Sequence, residues 1–192
     1  MTTAAAQPRS RAKAAAALAR QENAMTLMLR NEQDRDIDAI FELTRAAFLA
    51  EEHSSHTEHF IVNALRRSGQ LTLSIVALDG ERLLGHIAAS PVLASSGAAG
   101  WHGIGPLSVH PERQGQGIGS LLMKQALAAL RELGASGCVV LGDPGYYARF
   151  GFQARPGLIL PGVPAEYFMA QSLGAPLPSG SVSYPPAFEA TA

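Results

Sequence analysis

Apolar residues recur along this chain with two rhythms, a period of two and a period near 3.6, and their succession predicts alternating strands and helices. Residues 26–30 read as a short first strand. Asp34 then suits an N-cap, and Ile37, Ile40, Phe41, Thr44, Ala47 and Phe48 fall on one helical face. Ser55-His-Thr-Glu58 has the form of a capping box for a second helix, with Phe60, Ile61, Ala64 and Leu65 turned to the core and Gly69 as its stop. Residues 71–78 read as a strand, Asp79-Gly80 as a hairpin turn, and residues 83–93 as the partner strand, with Pro91 near its end. Small residues fill a loop over 94–100, and a strand follows over 101–109. A helix from about Gly117 to Leu133 carries Ile118, Leu121, Leu122, Ala126, Leu130 and Leu133 in register and closes at Gly134. Residues 138–141 predict a short buried strand, 144–149 a brief helix, and a last strand follows Phe150.

The order is therefore β-α-α-β-β-β-α-β-α-β, an α/β (α+β) chain of 192 residues with no internal repeat. That length suits one domain with a sizeable core. Apolar residues make up 47% and charged residues 16%, a globular composition, and the net charge of -1 gives no steer toward nucleic acid or a membrane surface. No stretch approaches the roughly 20 apolar residues of a membrane helix. Charge is uneven, because Arg9, Arg11, Lys13 and Arg20 face only Glu22 in residues 1–24. That basic, alanine-rich segment reads as a disordered extension ahead of a fold starting near Met25, and cytoplasm is the default compartment. The tail from Gly174 holds Pro176, Pro178, Pro185 and Pro186 and is expected to be extended and poorly packed, ending on an edge or a neighbour. The single cysteine, Cys138, forbids an internal disulfide and reads as a buried strand residue rather than a nucleophile.

The densest chemistry lies where the 101–109 strand enters its helix, in Leu107-Ser-Val-His-Pro-Glu-Arg-Gln-Gly-Gln-Gly-Ile-Gly119. Gly115, Gly117 and Gly119 let the backbone turn tightly and approach a ligand. The free N–H groups and positive dipole end of the next helix then make a place for an anion, most naturally a phosphate. A dinucleotide loop would need G-x-G-x-x-G, and a triphosphate loop G-x-x-x-x-G-K-[ST]; neither spacing is present.

This segment resembles the acetyl-CoA signature Q/R-x-x-G-x-G/A of the GNAT superfamily of N-acetyltransferases, with Gln114, Gly117 and Gly119 in place. A second block, Leu141-Gly-Asp-Pro-Gly-Tyr-Tyr-Ala-Arg-Phe-Gly-Phe152, resembles the family's late segment, in which a tyrosine stands four residues before a Gly-Phe pair. With Gly85-His-Ile-Ala-Ala-Ser-Pro91, it is similar to a YhbS-like bacterial subgroup, and the resemblance covers roughly residues 27–172. It implies the GNAT fold, a mixed central sheet of six to seven strands with helices on both faces, within residues 25–173. It also implies an acetyl-CoA-dependent N-acetyltransferase passing the acetyl group directly to an amine of a small molecule or a protein. A non-catalytic acyl-CoA-binding module on the same fold is the alternative. Dimers are common in the superfamily, and the proline-rich tail is available to contribute to one.

The resemblance puts the CoA pyrophosphate on the backbone of Gln114, Gly115, Gln116, Gly117, Ile118, Gly119 and Ser120, and the pantetheine arm along Leu107, Ser108 and Val109, with the Val109 amide toward the thioester carbonyl. Tyr147 matches the tyrosine that protonates the departing thiolate, and its ordinary pKa near 10 suits a donor; Tyr146 is adjacent. Val140 stands where many family members carry an asparagine, and Gly142-Asp-Pro144 replaces that region, so the resemblance does not carry over the asparagine's contact with CoA. Two residues compete as general base. His86 can accept a proton at neutral pH if it keeps an ordinary pKa, or it can be a histidine bonded within the sheet. Glu58 can reach the acceptor cleft, or serve only as the return half of its capping box. Glu51, Glu52, His53, His56 and His59 crowd the same region, but no metal-ligand spacing appears among them and no metal is expected. Ser90-Pro91 is placed to shape the acceptor pocket, and Trp101 reads as core.

Overall fold

A computed structural model describes residues 27–51 and 54–192. The expectations for residues 1–24, Met25, Thr26, Glu52 and His53 lie outside the described residues. Strand β1 (Leu27–Asn31) leads through a 3₁₀ turn into α1 (Ile37–Phe48) and α2 (Glu58–Arg67). Strands β2 (Leu73–Asp79), β3 (Arg82–Pro91), β4 (Leu93–Ala94) and β5 (Trp101–Val109) follow, and then α3 (Ile118–Glu132). The rest is β6 (Gly137–Leu141), α4 (Pro144–Tyr147), β7 (Gln153–Ala154), β8 (Leu158–Ile159), β9 (Phe168–Ser172) and β10 (Gly180–Ser183). Seven strands form one sheet in the order β1-β2-β3-β5-β6-β9-β7, antiparallel except for the β5–β6 pair.

Strand alternation sorts the core onto the two faces of that sheet. Ile75, Ala77, Leu84, Ile87 and Ala89 meet Ile118, Leu122, Met123, Ala126 and Leu130 of α3 on one side. Val76 and Leu78 meet Ile40 of α1 and Val62 of α2 on the other. The buried stripe of α3 is rotated from the expected one, leaving Leu121 and Leu133 exposed while Met123 and Leu127 are buried. In α2, His59 and Val62 are buried with Ile61 and Leu65, and Phe60 lies at the edge.

The two predicted helix starts shift. Asp34 opens the 3₁₀ turn rather than capping α1. Asp36 fills the polar role there instead, accepting the Gln33 N–H at 2.7 Å and the Arg30 guanidinium at 2.6 and 3.0 Å. Ser55 lies outside α2, whose cap position is Thr57, although Glu58 does reach back to the Ser55 N–H at 3.2 Å.

The C-terminal tail is the largest departure from expectation. Residues 180–183 form β10, the middle strand of a second, three-stranded sheet in the order β4-β10-β8. Val182 joins Val92, Trp101, Val139, Leu158, Phe168 and Ala170 in a core of their own, with Tyr184 packed against it. Pro185 is buried, and the 3₁₀ turn Pro186–Glu189 sets Ala187 and Phe188 against Ile61 and Leu65 of α2. The prolines do not prevent this, because Pro185 and Pro186 follow the strand instead of interrupting its ladder. The expected last strand after Phe150 shrinks to the two residues of β7, and β9 supplies the sheet in its place. β9 reads poorly in sequence because Phe168, Met169 and Ala170 are all buried, which removes the alternation.

Candidate active site

Strands β5 and β6 pair only over Trp101–Gly103 and Gly137–Val139, and beyond Gly103 they separate. The far half of β5 keeps β3 as its neighbour on the other side. His110 N–H donates to the Leu84 carbonyl at 2.9 Å, which makes Gly85 and Val109 a pair that exchanges no hydrogen bonds. By alternation Leu107 opposite Ile87 is the same kind of pair. The N–H and C=O groups of Leu107 and Val109 therefore point away from β3, into the opening toward β6. Ser108 turns the other way and donates its hydroxyl to Thr44 at 3.2 Å.

The glycine turn lies at the end of this opening. Gly115 and Gly117 have φ of 72° and 87°, left-handed values that L-residues rarely adopt. Gly117 occupies the cap position of α3 with no side-chain cap, and the first internal bond runs from Leu121 N–H to the Gly117 carbonyl at 3.1 Å. The amides of Ile118, Gly119 and Ser120 thus have no helical partner. No acidic side chain stands in this first turn. A Cβ on Gly119 would come within 2.8 Å of the Tyr146 hydroxyl and 3.5 Å of Val109 Cγ2, so glycine keeps the space open. Gln114 Nε2 reaches back toward the Val109 carbonyl at 3.4 Å, and Gln116 Nε2 bonds the Glu112 carbonyl at 3.2 Å.

The tyrosine pair is set by a cap. Asp143 accepts the amides of Gly145 at 2.9 Å and Tyr146 at 3.1 Å, and Pro144 starts the single turn of α4. Tyr147 packs edge-on against Tyr146 at 5.0 Å and Phe152 at 6.0 Å. Gly142 has φ of 152°, and a Cβ there would stand 2.7 Å from Tyr147 Cε2. Burial, with Tyr146 and Asp143 nearby, pushes the Tyr147 phenol up to about 12. Tyr146 is raised less, by burial opposed by the Ser120 hydroxyl beside it, and the Arg149 guanidinium lies 4.5 Å from its ring centre.

On the face beneath α1 and α2, His86 is fully buried and bonded through Nε2 to Ser74 Oγ at 2.8 Å. Burial lowers its pKa to about 4, against the opposing pull of Glu32, so the ordinary value expected for it does not hold. Glu58 accepts from Ser54 Oγ at 2.7 Å and from Ser55, which accounts for one carboxylate oxygen; Oε2 has no partner among the described residues. His59 sits edge-on to Phe41 at 4.7 Å and 4.2 Å from the Phe60 ring, so it is part of an aromatic cluster. His56 Nδ1 bonds the Phe48 carbonyl at 2.9 Å. Among the described residues no group of His, Cys, Asp and Glu gathers around a common point for a metal ion. Ser90 is buried in register with Gly103.

Three contributors have no signal in the expected pattern. Glu32 and Ser74 bond each other although 42 residues apart. Tyr184 arrives from the tail and lies on Gly103 at the point where β5 and β6 part, where glycine leaves its ring the room a Cβ would take. Burial, with Tyr147 and Cys138 close by, raises its phenol above the usual range. Periodicity within one segment cannot show any of these long-range meetings.

Cys138 is buried, and its thiol is pushed up to about 12 by that burial. Iodoacetamide at neutral pH is expected to leave it unmodified in the folded protein and to label it fully in denaturant, as read by intact mass. Rapid labelling of the native state would restore it as a candidate nucleophile.

A family model described as the acetyltransferase (GNAT) family matches residues 37–152. The Escherichia coli K12 protein described as an uncharacterized N-acetyltransferase, YhbS, is 38% identical over 128 residues, 66% of this chain and 74% of that protein. The crystal structure of a GNAT family acetyltransferase from Brucella melitensis in complex with acetyl-CoA is similar with a TM-score of 0.76 and 46% identity, covering 85% of this chain and 99% of that one. The structure of Escherichia coli YhbS in complex with CoA has a TM-score of 0.77 and 32% identity, covering 88% and 95%.

Proposed function

Because this chain belongs to the GNAT acetyltransferase family, we propose that it moves an acetyl group from acetyl-CoA directly to an amine of a small molecule or a protein. The observation that carries this reading is the opening between β5 and β6, with β5 backbone outside any strand ladder along one side and uncapped α3 amides at its end. The residues fit the donor. The amides of Ile118, Gly119 and Ser120 suit a pyrophosphate, and the cradle at Gly119 would be filled by any Cβ. Gln114, Gly115, Gln116 and Gly117 shape that turn. Leu107 and Val109 present backbone groups that an extended pantetheine amide chain can pair with, as an added strand would.

Acetyl-CoA supplies an activated acyl carbon held as a thioester; this chain supplies placement and protons. The Val109 N–H faces the opening, where it would donate to a carbonyl oxygen gaining negative charge. Tyr147, protonated throughout the neutral range, would donate to the thiolate. On the acceptor side, His86 offers a neutral imidazole and Glu58 a carboxylate oxygen. The buried, poorly ionising Cys138 favours direct transfer over an acyl-enzyme.

Thermal unfolding with acetyl-CoA, against NADH and ATP, tests the donor. At 100 times its dissociation constant a ligand stabilises by roughly 2.7 kcal/mol. At roughly 2–4 °C per kcal/mol, the midpoint should rise by about 5–11 °C with acetyl-CoA alone. A folded, CoA-free sample that shows no rise would overturn the reading.

A further inference from the structure

One polar chain crosses the sheet beneath α2 and ends on His86. Arg66 on α2 grips Glu32 with Nε and Nη2 at 2.7 and 2.8 Å. Glu32 Oε2 accepts the hydroxyl of Ser74, and Ser74 Oγ meets His86 Nε2 at 2.8 Å. Arg66 and Ser74 outweigh the desolvation of Glu32 and hold its carboxyl below the ordinary range, so it is ionised and only accepts.

Counting protons fixes the state of the ring. Ser74 has one proton, and it goes to Glu32. Toward His86 its oxygen can then only accept, so Nε2 carries the ring N–H. His86 is neutral at ordinary pH, so Nδ1 is the bare nitrogen, and it is buried with no partner among the described residues. His86 stands in register with Ser108, between the two β5 residues whose backbone faces the opening. His86 is thus one strand away from the edge assigned above to the thioester.

Resting on the transferase reading, we infer that Arg66, Glu32 and Ser74 are positioning residues that lock His86 as its Nε2–H tautomer, so that Nδ1 is the ring nitrogen that takes the proton the acceptor amine gives up. Glu32 and Arg66 neutralise each other at the far end, and Ser74 transmits only the direction of the hydrogen bond.

The test is long-range ¹H–¹⁵N correlation on histidine-labelled protein at neutral pH, with His86 assigned by its loss in His86→Gln. The expected wild-type pattern is a neutral ring protonated at Nε2. In Glu32→Leu, Ser74 loses its acceptor and becomes free to donate to Nε2, so the Nδ1–H form should appear. Methylamine, putrescine and glycinamide, each added with CoA, should move the Nδ1 resonance of at least one complex in the direction of a hydrogen-bonded nitrogen. A wild-type ring protonated at Nδ1, an imidazolium at neutral pH, an unchanged tautomer in folded Glu32→Leu, or an Nδ1 signal unmoved by all three amines would each overturn the inference. If Glu32→Leu does not fold, the wild-type tautomer and the amine titration still decide. A negative acetyl-CoA shift with the predicted tautomer present would sink the transferase reading alone.

Discussion

Tyr147→Phe is expected to cut acetyl transfer by roughly 10²-fold or more while CoA affinity stays as it is, the range in which a general acid contributes. The substitution removes one hydroxyl and leaves the ring, which is what Gly142, Tyr146 and Phe152 contact. The fold should therefore keep its stability. Burial raises the phenol to about 12, so it is a proton donor throughout the neutral and mildly alkaline range and never an acceptor there. Consequently, no loss of rate on the alkaline side should trace to Tyr147 ionising. Steady-state kcat, with the dissociation constant of CoA measured separately, checks both halves of the claim. If kcat survives, Tyr146 is the next residue to examine, because its hydroxyl overhangs the first turn of α3 beside Gly119 and Ser120. A wild-type protein that binds acetyl-CoA but transfers nothing to any amine would favour the binding-module reading.

Ending the chain after Ser179 should destabilise the domain heavily. The cut removes β10, and with it the strand that pairs both β4 and β8. Val182, Pro185 and Ala187 are buried, and Tyr184 and Phe188 pack at the edges of two clusters. Burying one side chain of the Val or Phe class stabilises by about 1.5–3 kcal/mol, so losing Val182 and two aromatic contacts costs at least about 4 kcal/mol. For a chain of this size that is a fall of roughly 8–16 °C in Tm. Calorimetry on the truncated and full-length proteins measures it, and a change under 2 °C would return the tail to the poorly packed state its prolines suggest. Turnover of the surviving folded fraction should also suffer, since Tyr184 forms the floor where β5 and β6 part.

Much of the site was legible because its parts are local. The strand over Trp101–Val109 and the helix that follows the glycines appear where their periods place them. Gly115 and Gly117 have the positive φ that a tight strand-to-helix turn demands. Asp143-Pro144 caps the turn that presents the tyrosines, although in sequence it registered only as a departure from the family's asparagine. His86 was visible as a candidate, but its ionisation was not. The ordinary pKa of histidine gives way to burial, and burial is a property of everything packed around the ring. Glu58 does not close the expected box, because the helix starts at Thr57; one of its oxygens bonds Ser54 and Ser55 ahead of the helix, and the other has no partner among the described residues.

By itself the sequence determined most of the element order as far as the tyrosine turn, the glycine turn before α3 and the family, since a glycine's φ, a cap or an apolar period depends on neighbours a few positions away. The tertiary structure alone decided that β5 and β6 part beyond Gly103, that the proline-rich tail supplies a strand and a half-buried tyrosine, and that Arg66, Glu32 and Ser74 form a hydrogen-bonded chain to His86. The reason is physical. Those contacts join residues dozens of positions apart, and they form because buried polar groups must find partners and apolar faces must be covered. Such requirements act on the packed whole, and no local pattern records which partner will meet them.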